Sequence, residues 1–204
     1  MLYQHGKPKK LPIFFREAEV AHIYDAGLYP DTFEGERDKL LLRILYETGI
    51  RRAEVVGLTE SSVDLSAQTI KVLGKRNKER VIPIEFELSH TIANYLTLKH
   101  QMSTYDEALL VDAKGRALKY SHVHTIVKRY MSVLSNADRI STHVFRHTFA
   151  THMLKEGANI DAIKELLGHS SLDATEVYAH VTLEHLKDTY RHAHPRARKK
   201  ENKQ

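Results

Sequence analysis

With 204 residues the chain can bury one good core, or a large domain with a small appendage, but not two ample domains. It has no cysteine, which excludes disulfides, thiol nucleophiles and cysteine-ligated zinc. No apolar run approaches the roughly 18–20 residues of a membrane span and no secretion signal opens the chain, so a cytoplasmic protein without a membrane partner is expected. Lys and Arg outnumber Asp and Glu by 31 to 26, a net charge of +5 with neutral histidine, so the expected partner is an anion.

Apolar residues spaced three and four apart predict helices over 16–26 and 33–48, the second ending at Gly49. A short helix is expected over 52–56. The period then changes to two, predicting a β-hairpin of strands 69–73 and 80–84 with the basic link 74–78 at its tip. Helical spacing returns over 86–101, and the apolar piece 109–111 is expected to add a third, edge strand. Beyond residue 121 everything reads as helix: 121–134, 142–155, 160–167, 173–180 and 183–192, with Gly157 and Gly168 as helix ends. Asp173 followed by Glu176 is a capping-box pattern, which puts Tyr178 on the helix it starts. The expected fold class is mainly α with a small antiparallel β-sheet.

Basic residues gather at Lys7, Lys9 and Lys10, in the hairpin link Lys75–Arg80, and in the tail from Arg191 to Lys203, whose only acid is Glu201. No long basic amphipathic helix accompanies them, which favours nucleic acid over a membrane surface. The two terminal clusters are equally consistent with solvated ends. His143 and Arg146, three apart, share a side at the start of a predicted helix, where the macrodipole disfavours cations. An anion held by free N–H groups, imidazole and guanidinium would remove that conflict. Pairing of Arg146 with a carboxylate is the plainer account. His169 at a helix end and Tyr178, one of 10 tyrosines, are weak signals by themselves. A zinc site on His143, His147 and His152 lacks the His-Glu-x-x-His pattern and nearby acids, so no cofactor and no metal are expected.

An arginine motif reads Thr48-Gly49-Ile50-Arg51-Arg52-Ala53-Glu54, and the hairpin link Gly74-Lys75-Arg76-Asn77-Lys78-Glu79-Arg80. His143-Val144-Phe145-Arg146-His147, Leu167-Gly168-His169 and Tyr178 complete the series. Taken in order, these motifs resemble the catalytic domain of the tyrosine recombinase (phage integrase) family, Xer-like members most of all, from about Arg37 to Ala197.

The resemblance implies a DNA-cleaving and rejoining enzyme that acts as a homo-tetramer on double-stranded DNA. Arg51 and Arg146 would clamp the scissile phosphate, His169 would add a third donor, and Lys75 would protonate the leaving 5′ oxygen. His143 would assist proton transfer or orient the phosphate, and Tyr178 would form a 3′-phosphotyrosyl link. Arg52, Arg76, Lys78 and Arg80 are expected to contact DNA. Arg52 stands where the family has an apolar residue, which raises the question of which arginine reaches phosphate; the register with Glu54 favours Arg51. Arg76 replaces a glycine and Ala53 a frequent serine.

The implied organisation is a basic segment over 1–12, a catalytic domain over 13–194 and a basic tail over 195–204. Relatives usually carry an N-terminal helical domain of about a hundred residues; with only a short segment before the catalytic region, a fragment or a minimal protein with weak DNA affinity is expected. The helix after Tyr178 has two accounts, docking on a neighbouring protomer or lying as a surface helix with a frayed end. Two alternatives to recombination stand beside it: DNA relaxation of the type IB topoisomerase kind, and a non-catalytic DNA-binding regulator on the same fold.

Overall fold

In the computed structural model, residues 14–74, 77–103, 105–134, 140–168 and 183–194 are described. Helix α1 spans Glu17–Ala21, and two 3-10 turns follow at His22–Tyr24 and Ala26–Leu28. The single helix expected here is broken at Asp25, whose extended backbone frees its carboxylate to accept from the Gly27 N–H at 2.9 Å.

Helix α2, Phe33–Thr48, starts where the Thr32 hydroxyl accepts from the Gly35 N–H and stops at Gly49, whose φ of 61° is left-handed. It is a central pillar, packed on α3 (Arg52–Val56), α4 (Phe86–Lys99), α5 (Tyr120–Leu134) and α6 (Thr142–Lys155). Its apolar stripe, with Leu41, Ile44 and Leu45, is fully buried, and four of its charged residues are buried as well. They are paired: Arg37 donates to Asp38 at 2.7 and 2.9 Å, and Arg43 to Glu47 at 2.8 Å. Such pairing is the condition for charge in a core.

The sheet contains three antiparallel strands, β1 (Val63–Asp64), β2 (Thr69–Leu73) and β3 (Glu79–Pro83), in that spatial order. The hairpin closes with Gly74 N–H donating to the Lys78 carbonyl at 2.8 Å, and Asn77 takes a positive φ of 60° in the turn. The expected third strand at 109–111 is not part of this sheet. Leu109 bonds Leu58 instead, Val111 bridges Ala117, and all three apolar side chains of the piece enter the core. The third strand is β1, two residues long and too short to show a period.

Helix α7, Ile160–Leu167, is capped by the Asn159 side chain and stopped by Gly168 at φ 63°. Helix α8, Leu183–Ala193, packs on its own chain against β3, α6 and α7. Tyr190 is 1 % exposed and donates to the Glu47 carbonyl at 2.7 Å; Ala193 and His194 are also buried. One face of the helix is thus buried on its own chain while Asp188, Arg191 and His192 on the other are exposed, which fits the account of a surface helix. The expected helix over 173–180 lies outside the described residues. At the other end Phe15 is fully buried on Phe145, and its N–H donates to the Thr148 hydroxyl. Among the described residues no helix is long and apolar enough to cross a membrane.

Candidate active site

Two helix C-termini converge on one side of the molecule, those of α2 at Gly49 and α7 at Gly168. The last carbonyls of a helix have no partner inside it and carry its negative dipole end. Three arginines from three other places in the chain use them. Arg80, on β3, donates through Nε to the Leu166 carbonyl at 2.8 Å. Arg146, on α6, donates to the Leu167 carbonyl and, at 2.9 Å, to that of Gly49. Arg51, which precedes α3, reaches the Gly168 carbonyl at 3.4 Å. Three consecutive carbonyls therefore receive three guanidiniums, and the arginines stand side by side.

One carboxylate joins them. Glu54 is 8 % exposed and lies one turn beyond Arg51, accepting from its N–H at 2.7 Å and its guanidinium at 3.0 Å. Arg80 meets both oxygens of the same carboxylate at 2.9 Å. Burial pushes the Glu54 pKa up, but the bonds from Arg80 and Arg51 prevail and hold it below its ordinary 4.5.

Three guanidiniums against one carboxylate leave an excess of two positive charges. The strain shows at Arg146, where burial first and the like charge of Arg51 next pull the pKa from 12.5 down to about 10, with Glu54 opposing. Arg146 stays charged at neutral pH, and a bound anion would relieve both the repulsion and the lost hydration. The side chain of Arg51 keeps 31 % of its surface open and that of Arg80 only 13 %, so Arg51 is the more accessible of the two.

His143 is exposed on the first turn of α6, three residues before Arg146 and on the same side. His147 is exposed too, whereas His152 is buried, its Nδ1 3.1 Å from the Tyr46 hydroxyl, so the three histidines do not share a surface. Arg52 points away from its neighbour and lies over the Tyr120 ring of α5 at 3.6 Å. The structure thus brings Arg51, and not Arg52, to Arg146. Lys78 is exposed in the hairpin turn. Lys75, Arg76, His169 and Tyr178 lie outside the described residues; Gly74, which precedes Lys75, borders Arg80 and Glu54, and Gly168, which precedes His169, borders Arg80.

Sequence reasoning missed Arg80's partner. The signal was the period of two: Arg80 shares its face with Ile82 and Ile84, both buried, and pairs across the ladder with buried Val72. An arginine on the apolar side of a strand needs an internal acceptor, and Glu54 was the acid available in the adjoining motif.

The profile of the Phage integrase family matches residues 14–185. Tyrosine recombinase XerC of Staphylococcus saprophyticus is 40% identical over 199 residues, covering 96% of this chain and 67% of the relative. Tyrosine recombinase XerC of Chlorobaculum tepidum is 36% identical over 211 residues, covering 93% of this chain and 63% of the relative. The chain therefore spans about two thirds of the length of these relatives. Among solved structures, XerA recombinase superposes with a TM-score of 0.71 at 27% identity, over 92% of this chain and 67% of that one. XerH recombinase bound to difH substrate in a pre-cleavage complex gives 0.72 over 88% of this chain and 54% of its own, and at 24% identity it speaks for the fold alone.

Proposed function

Because this chain belongs to the phage integrase family, we propose that it cleaves and rejoins DNA strands through a covalent phosphotyrosyl intermediate, as a site-specific recombinase. The observation that carries the reading is the pair Arg51 and Arg146, held side by side on helix C-termini with uncompensated positive charge.

Tyr178 attacks the scissile phosphorus. Its Oη–P bond forms as the P–O5′ bond breaks, and the DNA is left joined to the protein by its 3′ phosphate. A phenol of pKa near 10 is a poor nucleophile at neutral pH, so its proton must leave to a base or the phenolate must be favoured by nearby cations. Arg51, Arg146 and His143 offer that field on the described side of the site, and His169 would join them. As phosphorus takes a fifth oxygen, charge grows on the non-bridging oxygens, where a preorganised donor is worth on the order of 3 kcal/mol. Lys75 hands its proton to the departing 5′ alkoxide. The phosphotyrosyl ester keeps the bond energy, so a second 5′ hydroxyl reverses the step and no nucleotide is consumed. Exchange between two duplexes breaks four strands, and four tyrosines are needed, hence a homo-tetramer on DNA.

The test is a pool of nicked suicide duplexes of randomised sequence, whose short fragment is lost after cleavage so that covalent protein–DNA survives denaturation. We expect adducts in the presence of chelator, mapped by peptide analysis to Tyr178 and absent from Tyr178→Phe. An adduct on another tyrosine would move the nucleophile. A pool from which nothing is trapped, with DNA still bound, would leave a binding protein without turnover.

A further inference from the structure

Arg80 occupies the junction of three pieces of the site, and we infer that it is a positioning residue for strand cleavage rather than a contact to DNA. Each of its three guanidinium nitrogens makes a hydrogen bond: two to Glu54 at 2.9 Å each and the third to the Leu166 carbonyl at 2.8 Å. With 13 % of its side chain exposed, it has little surface to offer a phosphate.

Each of its neighbours leads to a residue of the proposed chemistry. Through Glu54 it meets Arg51, because the carboxylate oxygen that accepts from Arg80 Nη1 also accepts from Arg51 Nη1 at 3.0 Å. Through Leu166 it fixes the end of α7, where the next two carbonyls hold Arg146 and Arg51. Gly168 is packed flat on it: a Cβ there would lie 3.1 Å from Arg80 Nη1 and 3.2 Å from Cδ and Cζ. The start of the hairpin turn also borders it, where a Cβ on Gly74 would be 3.6 Å from Arg80 Nη1 and 3.8 Å from the Glu54 carboxylate. Gly74 precedes Lys75 and Gly168 precedes His169.

A planar fork with three bonds in fixed directions sets the distance between β3, α3 and the end of α7, which a lysine, a point charge on a flexible stem, cannot do. Reacting groups must be held to within a fraction of an ångström, so loss of such a brace is felt in the rate of the chemical step. Binding responds differently. A residue on phosphate contributes a released counterion, about 0.9 to the slope of log affinity against log salt, and a brace contributes none.

This inference rests on the proposed strand cleavage and is tested on a nicked duplex of a sequence trapped by the unmodified protein, whose adduct is the control that the reaction itself exists. In Arg80→Lys, DNA affinity and its salt slope should stay as in the unmodified protein, within twofold and within about 0.3 respectively, a third of one phosphate contact. The rate of adduct formation at saturating DNA, per folded molecule, should fall at least tenfold. Glu54→Asp keeps every charge and shortens the bridge; it should show the same split, and serves if Arg80→Lys does not fold. The double variant should lose little more than the worse single one, as expected of residues acting through one link. Arg80→Gln removes the charge that lysine keeps and should also leave the salt slope unchanged; a slope lower by about one in that variant would make Arg80 a phosphate contact. An unchanged rate at saturation with a lowered unfolding midpoint would make it a structural ion pair only. Either result overturns the proposal.

Discussion

Gly49 shows how one residue serves local and distant structure together. Its φ of 61° ends α2, its carbonyl accepts from Arg146, and it leaves room for two side chains from later helices. A Cβ there would stand 2.7 Å from Phe149 Cδ1 and 2.8 Å from Leu167 Cδ2. The helix stop was readable in the sequence because it is local chemistry; the close approach was not, because Phe149 and Leu167 come from α6 and α7. Gly49→Ala should therefore destabilise by roughly 2–4 kcal/mol, the left-handed backbone and the overpacking acting together. Urea unfolding measures it, and a loss below about 1 kcal/mol would mean that the two side chains give way at no cost. The register with Glu54 favoured Arg51 over Arg52 in the sequence, and in the structure the carboxylate three residues on holds Arg51 at both its N–H and its guanidinium.

Among the elements, helix bounds followed capping and period closely, with α2, α3, α6 and α7 standing where the sequence put them. Failures came where pairing partners were remote or segments short. The apolar run 109–111 has the composition of a strand, but its backbone is taken up by Leu58 and by its own turn back to Leu118. Helix α8 is a different case. The family resemblance implied docking on a neighbouring protomer and the plainer account was a surface helix; the structure seats one face of it on its own chain through Tyr190, with Lys187 donating to the Ala67 carbonyl at 3.0 Å. Tyr190→Ala should cost about 3–5 kcal/mol in urea unfolding, the range for removing a buried aromatic ring. A change of under about 1 kcal/mol would show that α8 leaves its groove freely and that the core does not depend on it.

Across the whole molecule, stability should carry the mark of buried ionisable groups. His152 is 1 % exposed between α2 and the start of the chain, and burial lowers its pKa from 6.5, Glu17 opposing and Lys155 adding to the shift. The unfolded chain then binds the proton first as pH falls, so this contribution is complete above 6.5 and lost below it. Unfolding midpoints should decline as pH drops below 6.5, and His152→Gln, which can still bond Tyr46, should flatten that decline; equal slopes would place the proton elsewhere. By itself the sequence determined the mainly helical class and the bounds of α2, α3, α6 and α7. Its motifs, through family resemblance, pointed to the chemistry: caps, periods and motif residues act over a few positions and are legible there. Only the tertiary structure decided that three consecutive carbonyls at the end of α7, the last that of Gly168, would gather Arg80, Arg146 and Arg51, that Arg80 would turn inward to Glu54, and that α8 would close on its own chain. Each of those is a hydrogen bond or a packing contact between segments far apart in the chain, where burial and leftover helix-end acceptors, not local propensity, choose the partner.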